Sequence, residues 1–351
     1  MIISDLFQQA VGKESSDIFI IAGLPLSFKI KGEILKQSEE ILTPIDTENL
    51  VIQIYELAKR MKKQDDKKKD DDFSFSISKL GRFRVNIYHQ RGSVAAVIRI
   101  VCFELPNYAE LHIPKDVMAL AELRKGLVLI TGPAGAGKST TISCLIDQIR
   151  KTRNSHIITL EDPIEFVHQH ANSIISQREV GVDVASFMQG LKSALRQAPD
   201  VIFLGEMRDY ETIQIAMTAA ETGQLILSTL HTLGANNTID RIIDVFPPEQ
   251  QQQIRIQLSM VLQAVISQQL IPTVDHGLVP VFEVMYVNYA IRNMIRESKL
   301  HQLDGNIYAT SQEGLQLMDT SILDLYHQGS ISKEQAKLYS IHYEMMCKKI
   351  K

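Results

Sequence analysis

The spacing of apolar residues changes character after residue 101. Before it, short helical and strand patterns mix. Ile2 to Val11 places apolar side chains at helical spacing, and Asp17 to Lys36 holds two β-rich runs, DIFIIA and LSFKIKGEIL, separated by a turn at Gly23-Leu24-Pro25. Thr43 to Arg60 predicts a helix: Thr43-Pro44 opens it, and Asp46 and Glu48 suit its positive end. The run KKQDDKKKDDD at 62–72 sets five lysines against five aspartates and reads as a solvated turn. FSFSISKLGRFRVNIYHQRGSVAAVIRIV then alternates as strands do, with turns at Lys79-Leu80-Gly81 and Arg91-Gly92. Residues 1–101 are expected to form a small α+β domain, and CFELPNYAELHI, 102–113, a linker.

From Pro114 the pattern becomes strand, loop, helix. LVLIT, HIITL, VIFL and QLILST are short apolar runs bounded by Gly, Pro or acids, with helical stretches expected at Ser139–Thr152, Val184–Gln197 and Asp209–Glu221. Such alternation predicts a parallel sheet covered on both faces, an α/β domain over 114–351. Gln250 to Gln269 reads as one long Gln-rich amphipathic helix, and the tail from Met318 as helical. No repeat of about 20–50 residues is visible.

Composition narrows the class. With 351 residues, 45% hydrophobic and 22% charged, the chain can bury a core without staples. Cys102, Cys144 and Cys347 are too few for a Cys₄ zinc site and too scattered for a disulfide framework. A net charge of −4 argues against a general grip on nucleic acid. The opening MIISDLFQQAVGKESSD lacks the apolar core of a secretory signal, and no apolar run approaches the ~18 residues of a membrane span. A cytoplasmic protein is expected, reaching a membrane only through a partner.

Residues 132–140, Gly132-Pro133-Ala134-Gly135-Ala136-Gly137-Lys138-Ser139-Thr140, fit G-x-x-x-x-G-K-[ST]. An apolar strand, Leu127–Thr131, precedes them and a helix follows, as this motif requires. Glycines let successive backbone N–H groups turn inward around phosphates, and the helix adds its N-terminal partial charge. Lys138 brings a mobile cation to the β- and γ-phosphates, and the Ser139 hydroxyl suits Mg²⁺. A bound ATP with Mg²⁺ is the implied ligand.

Three later strands end in polar groups, and in a parallel sheet the carboxyl ends of the strands form the binding crevice. HIITLEDPIEFVH ends in Glu161-Asp162-Pro163, where proline stops the strand and is expected to leave both acids exposed at its tip. APDVIFLGEMRD ends in Gly205-Glu206, a carboxylate suited either to sit behind the direct ligands of Mg²⁺ or to orient water for in-line attack on the γ-phosphate. QLILSTLHT ends near His231, a donor suited to sense the γ-phosphate. His156, His168, His170 and His276 have no metal-ligand spacing and receive no role.

Taken together, these segments resemble the type IV pilus retraction ATPases, the PilT family of the type II/IV secretion ATPase superfamily, over nearly the whole chain. GPAGAGKST is similar to the family's Walker A, HIITLEDPIEFVH to its Asp box, RQAPDVIFLGEMRD to its Walker B and ILSTLHT to its His box. SSDIFIIAGLPLSFKIKGEI and GRFRVNIYHQRG resemble its N-terminal strands. AIRNMIRESKLHQL, 290–303, resembles the motif that marks retraction rather than assembly ATPases; by spacing alone it is an amphipathic helix with Ile291, Met294 and Ile295 on one face and Arg292 and Arg296 on another.

The resemblance implies a PAS-like N-terminal domain, a RecA-like P-loop NTPase domain and a homohexamer acting on an inner-membrane platform protein, without inserting in the membrane or binding nucleic acid. It implies Glu206 as general base, Glu161 as a Mg²⁺-site acid and Arg84 and Arg99 as charge stabilisers, with Arg82 and Arg91 as competitors for that role. An assembly or secretion ATPase, a RecA-type DNA motor and a nucleotide-binding regulatory paralogue are the alternatives. The sequence departs from the family at Ala134 and Ala136 in the phosphate loop, at Gln197-Ala198, and at Leu233-Gly234 after the His box.

Overall fold

The computed structural model describes residues 2–30, 32–60, 70–77, 80–101, 105, 107–302 and 315–350. They form two compact units, Met1–Glu104 with Glu165–Val167, and Leu105–Ile164 with His168–Lys351. Residues 62–69 of the charged run lie outside the described residues, as do residue 79 of one expected turn, 102–104 and 106 of the expected linker, and residue 303 of the 290–303 segment.

In the first unit, α1 (Ile3–Gly12) and α2 (Pro44–Leu57) accompany a sheet of β1 (Asp17–Ile20), β2 (Pro25–Ile30), β3 (Glu33–Ile41), β4 (Asp71–Ile77), β5 (Gly81–Gln90) and β6 (Ser93–Val101). The strand order is β3-β2-β1-β6-β5-β4, with every neighbouring pair antiparallel. LSFKIKGEIL is therefore two strands, because Gly32 turns the chain at φ +88°. Thr43 caps α2 with its side chain on the Asp46 amide, while Asp46 accepts from the Thr43 amide at 2.8 Å. That helix stops at Leu57 rather than continuing to Arg60, since Lys59 takes a left-handed φ of +50°. Phe7, Phe28, Phe83, Ile18, Ile54 and Ile98 fill the core.

The second unit opens with α3 (Lys115–Ala119), β7 (Gly126–Thr131), α4 (Lys138–Thr152), β8 (His156–Glu161), β9 (Ile174–Glu179), α5 (Phe187–Ala194), β10 (Val201–Leu204), α6 (Tyr210–Glu221) and β11 (Leu225–Leu230). It continues with α7 (Ala235–Asp244), α8 (Pro248–Val261), β12 (Leu262–Pro272), β13 (Leu278–Tyr286), α9 (Tyr289–Arg296), β14 (Leu315–Gln316), α10 (Met318–His327), α11 (Lys333–Tyr339) and α12 (Tyr343–Lys349). The sheet runs β14-β13-β12-β7-β11-β10-β8-β9. From β12 to β9 all pairs are parallel; β13 and β14 add an antiparallel edge.

Alternate residues of each buried strand feed opposite cores. Leu127 and Leu129 pack with Leu191, Ile213, Ile239 and Leu258 on one side. Val128 and Ile130 pack with Ile142, Leu145 and Ile149 of α4 on the other. This two-sided burial is why the strands read as unbroken apolar runs.

One expected element is wrong. Gln250 to Gln269 is not a single helix: α8 ends at Val261 and the chain continues as β12, paired with β7 and β13. Gln268 and Gln269 are buried in the sheet, 3% and 6% exposed, where their polarity had suggested the wet face of a helix. The preference of Val265 and Ile266 for strand, and pairing on both edges, outweigh that signal.

Candidate active site

The phosphate loop leaves β7 and enters α4 through three left-handed glycines, Gly132 (φ +143°), Gly135 (φ +77°) and Gly137 (φ +85°). At Gly132 any β-carbon would also collide with the carbonyl oxygen of Gln268. Ala134 is exposed, and Ala136 is buried with its amide on the Pro133 carbonyl at 3.2 Å. Their backbones, not their side chains, shape the loop, so these two departures leave its form intact. Ser139 and Thr140 are half-buried in the first turn of α4. The Lys138 ammonium is buried and donates to the carbonyls of Gly132 and Pro133, both at 2.8 Å. Phosphate oxygens would compete with these carbonyls for the same cation.

Hydrogen bonds draw the neighbouring strand ends together. The Gly132 amide donates to Leu230 at the end of β11, and the Gly205 amide to Leu160 of β8. The Thr229 hydroxyl donates to the Gly205 carbonyl at 2.5 Å. The result places three of the anticipated side chains in one constellation. His231 Nδ1 lies 3.5 Å from Lys138 Nζ, and its Nε2 lies 3.7 Å from Glu206 Oε2. Arg208, largely exposed, holds the same Glu206 oxygen at 2.6 Å through its Nε.

Glu161 corrects the expectation that both acids of its strand tip are exposed. Only Asp162 is; Glu161 is 8% exposed. It is the last residue of β8, so its side chain shares the face of Thr159, whose hydroxyl donates to Glu161 Oε1 at 2.5 Å. Gln177 of β9 donates to the same oxygen at 3.1 Å. A second carboxylate, Glu179, stands opposite Glu161 in the register of β8 and β9, buried, and accepts from the Ile164 amide. Neither Gln177 nor Glu179 was singled out from the sequence; SQRE carries no spacing that separates it from a wet edge strand.

Arg84 and Arg99 belong to the first unit. They sit directly opposite each other on β5 and β6. Asp72 takes Arg84 in a two-pronged pair, 3.2 and 2.8 Å, and Asp17 takes Arg99 at 3.1 Å. Arg82 donates to Ser76 on β4, and Arg91 occupies a left-handed turn.

The two remaining departures have local accounts. Gly234 takes φ +86°, a conformation a side chain would strain; its amide donates to Ser267 and the next to Glu283, seating the start of α7 just after His231. Ala198 is also left-handed, φ +50°, and the carbonyl of Gln197 meets His156 Nδ1 at 2.9 Å.

A glycine-turned phosphate loop on a parallel sheet, with a lysine, a strand-end glutamate and a histidine converging beside it, defines a P-loop ATPase. The sequence pattern of the type II/IV secretion system protein family matches residues 1–279, and the chain belongs to that family. It is 40% identical over 338 residues to the type IV pilus retraction ATPase PilT of Pseudomonas aeruginosa, covering 96% of this chain and 97% of that protein. It is 38% identical over 332 residues to the type IV pilus ATPase PilU of the same organism, covering 94% and 86%. A crystal structure of the pilus retraction motor PilT with bound ADP matches with a TM-score of 0.88 at 44% identity, covering 98% of each chain.

Proposed function

We propose that this ATPase powers retraction of type IV pili. Six copies form a ring at the cytoplasmic face of the inner membrane and work there on a platform protein. The convergence of Lys138, His231 and Glu206 carries the chemistry, and likeness to PilT along the full chain carries the task. No helix among the described residues is long and apolar enough to cross a membrane.

In this reading Lys138 leaves the loop carbonyls for the β- and γ-phosphates, while loop amides hold the rest of the chain of charges. Glu206 orients and deprotonates the attacking water, and His231 follows the γ-phosphate. Arg84 and Arg99 leave Asp72 and Asp17 to stabilise charge as it develops; an arginine in that role is worth about 10³–10⁵ in rate in related phosphoryl transfer. The oxygen donors of Ser139 and Glu161 suit Mg²⁺, which would neutralise phosphate charge, reached at Glu161 through water.

The test is a deletion strain complemented with wild type, Lys138→Ala or Glu206→Gln. Excess static pili on deletion, with retraction restored by wild type alone, is the expected result. Purified Glu206→Gln should bind ATP without turning it over. Bald cells would make the protein an assembly motor. Unchanged piliation would make it a regulatory paralogue, and full turnover in both variants would overturn the site.

A further inference from the structure

Gln268, on the strand read from sequence as helix, lies against the phosphate loop and the helix turn after it. Its Oε1 accepts from the Thr141 hydroxyl of α4 at 2.8 Å, in the turn that carries Ser139. Its Nε2 lies 2.9 Å from where a β-carbon on Gly137 would stand. Its backbone carbonyl closes the space beside Gly132. The side chain is 3% exposed, so these contacts are made away from water. The preceding Ser267 pairs with Thr131, the residue just before the loop. One residue thus bears on the loop's first glycine, its last glycine and the helix turn that follows.

We propose that Gln268 is a positioning residue for nucleotide: anchored in β12, it fixes the curvature of the loop and the direction of the first turn of α4. The inference rests on the nucleotide-site reading above. A buried amide satisfied by Thr141 resists displacement, because breaking that bond leaves two polar groups unpaired away from water. The loop amides therefore meet phosphate already aimed, and less binding free energy is lost in ordering them.

The experiment measures affinity for a fluorescent ADP analogue, and KM and kcat for ATP, in the full-length protein. Gln268→Met keeps the volume and removes the acceptor; Thr141→Val removes the donor from the other side. Each should weaken nucleotide binding and raise KM by about three- to tenfold, the range of one neutral hydrogen bond, with kcat changed less. The double variant should be no worse than either single one, because both break the same bond. Thermal melting reports folding of each variant. Lys138→Ala separates the two readings. If it binds nucleotide normally, the site itself is misplaced. If it loses binding while both folded single variants bind normally, or if their effects simply add, Gln268 does not position the loop.

Discussion

His231 stands between Lys138 and Glu206, with Nδ1 3.5 Å from the ammonium and Nε2 3.7 Å from the carboxylate. The two neighbours dictate opposite roles for the ring nitrogens. An ammonium has only donors, so the nitrogen facing it accepts; a carboxylate has only acceptors, so the nitrogen facing it carries the hydrogen. A ring with its hydrogen on Nε2 and its lone pair on Nδ1 matches this placement, at separations of 3.5 and 3.7 Å that are longer than ordinary hydrogen bonds. His231 thereby stands between the two groups proposed above to meet phosphate and to orient water.

Removing that link should act on turnover more than on binding. His231→Ala is expected to lower kcat about ten- to a hundredfold with a smaller change in KM, as for a group that serves the transition state. His231→Gln, with one donor and one acceptor, should retain more activity than alanine. Steady-state ATPase kinetics decide it; a rise in KM alone would make His231 a binding residue.

Glu161 is held by two neighbours on one oxygen, Thr159 and Gln177, and the side-chain Oε1 of Gln177 in turn accepts from the His168 backbone amide at 2.7 Å. Gln177→Leu cuts the connection from the loop to the acid. We expect about a tenfold loss in kcat, the scale of one hydrogen bond to a charged group, with Tm little changed. Loss of melting temperature in proportion to activity would show that Gln177 supports the fold instead.

Arg292 has a structural duty within the segment that resembles the retraction motif. Its Nη1 donates to the carbonyls of Ser259 and Met260 at 2.6 and 2.8 Å, at the C-terminal end of α8. A cation there satisfies orphan carbonyls and complements the helix dipole. Arg292→Ala should cost about 1–2 kcal/mol and lower Tm by several degrees, whereas exposed Arg296→Ala should leave Tm within about a degree. Retraction defects are therefore best read from Arg296 variants, with melting curves beside them.

The phosphate loop and the strand-end residues Glu206 and His231 were legible because their signal is local: a fixed spacing, or a polar residue closing an apolar run. Gln268 and Gln177 were not, because each acquires its importance from a neighbour distant in sequence. Gln268 meets Thr141 across 127 positions, and Gln177 meets Glu161 across 16. The error at β12 has the same root. A buried strand between two partners needs no alternation, so glutamines placed for hydrogen bonding inside the sheet looked like solvent-facing positions of the helix before it.

His168 gives the protein an acid sensitivity of definite sign. The ring is buried, its Nδ1 has no hydrogen-bond partner, and burial, assisted by the Arg150 charge, lowers its pKa from 6.5 to about 4, with Asp147 opposing. The unfolded chain takes up this proton as pH falls through 6.5, while the folded chain stays neutral until about 4. Between those values the unfolded state binds more protons, so stability rises with pH and is lost as pH falls, by at most ~1.4 kcal/mol per unit from this one group. Above 6.5 both states are neutral and the effect vanishes. Chemical denaturation from pH 7.5 downward should therefore show a wild-type decline that His168→Leu, which cannot be protonated, flattens. Parallel profiles for the two proteins would mean that His168 takes up its proton over the same pH range folded and unfolded, and that its burial does not set the acid sensitivity.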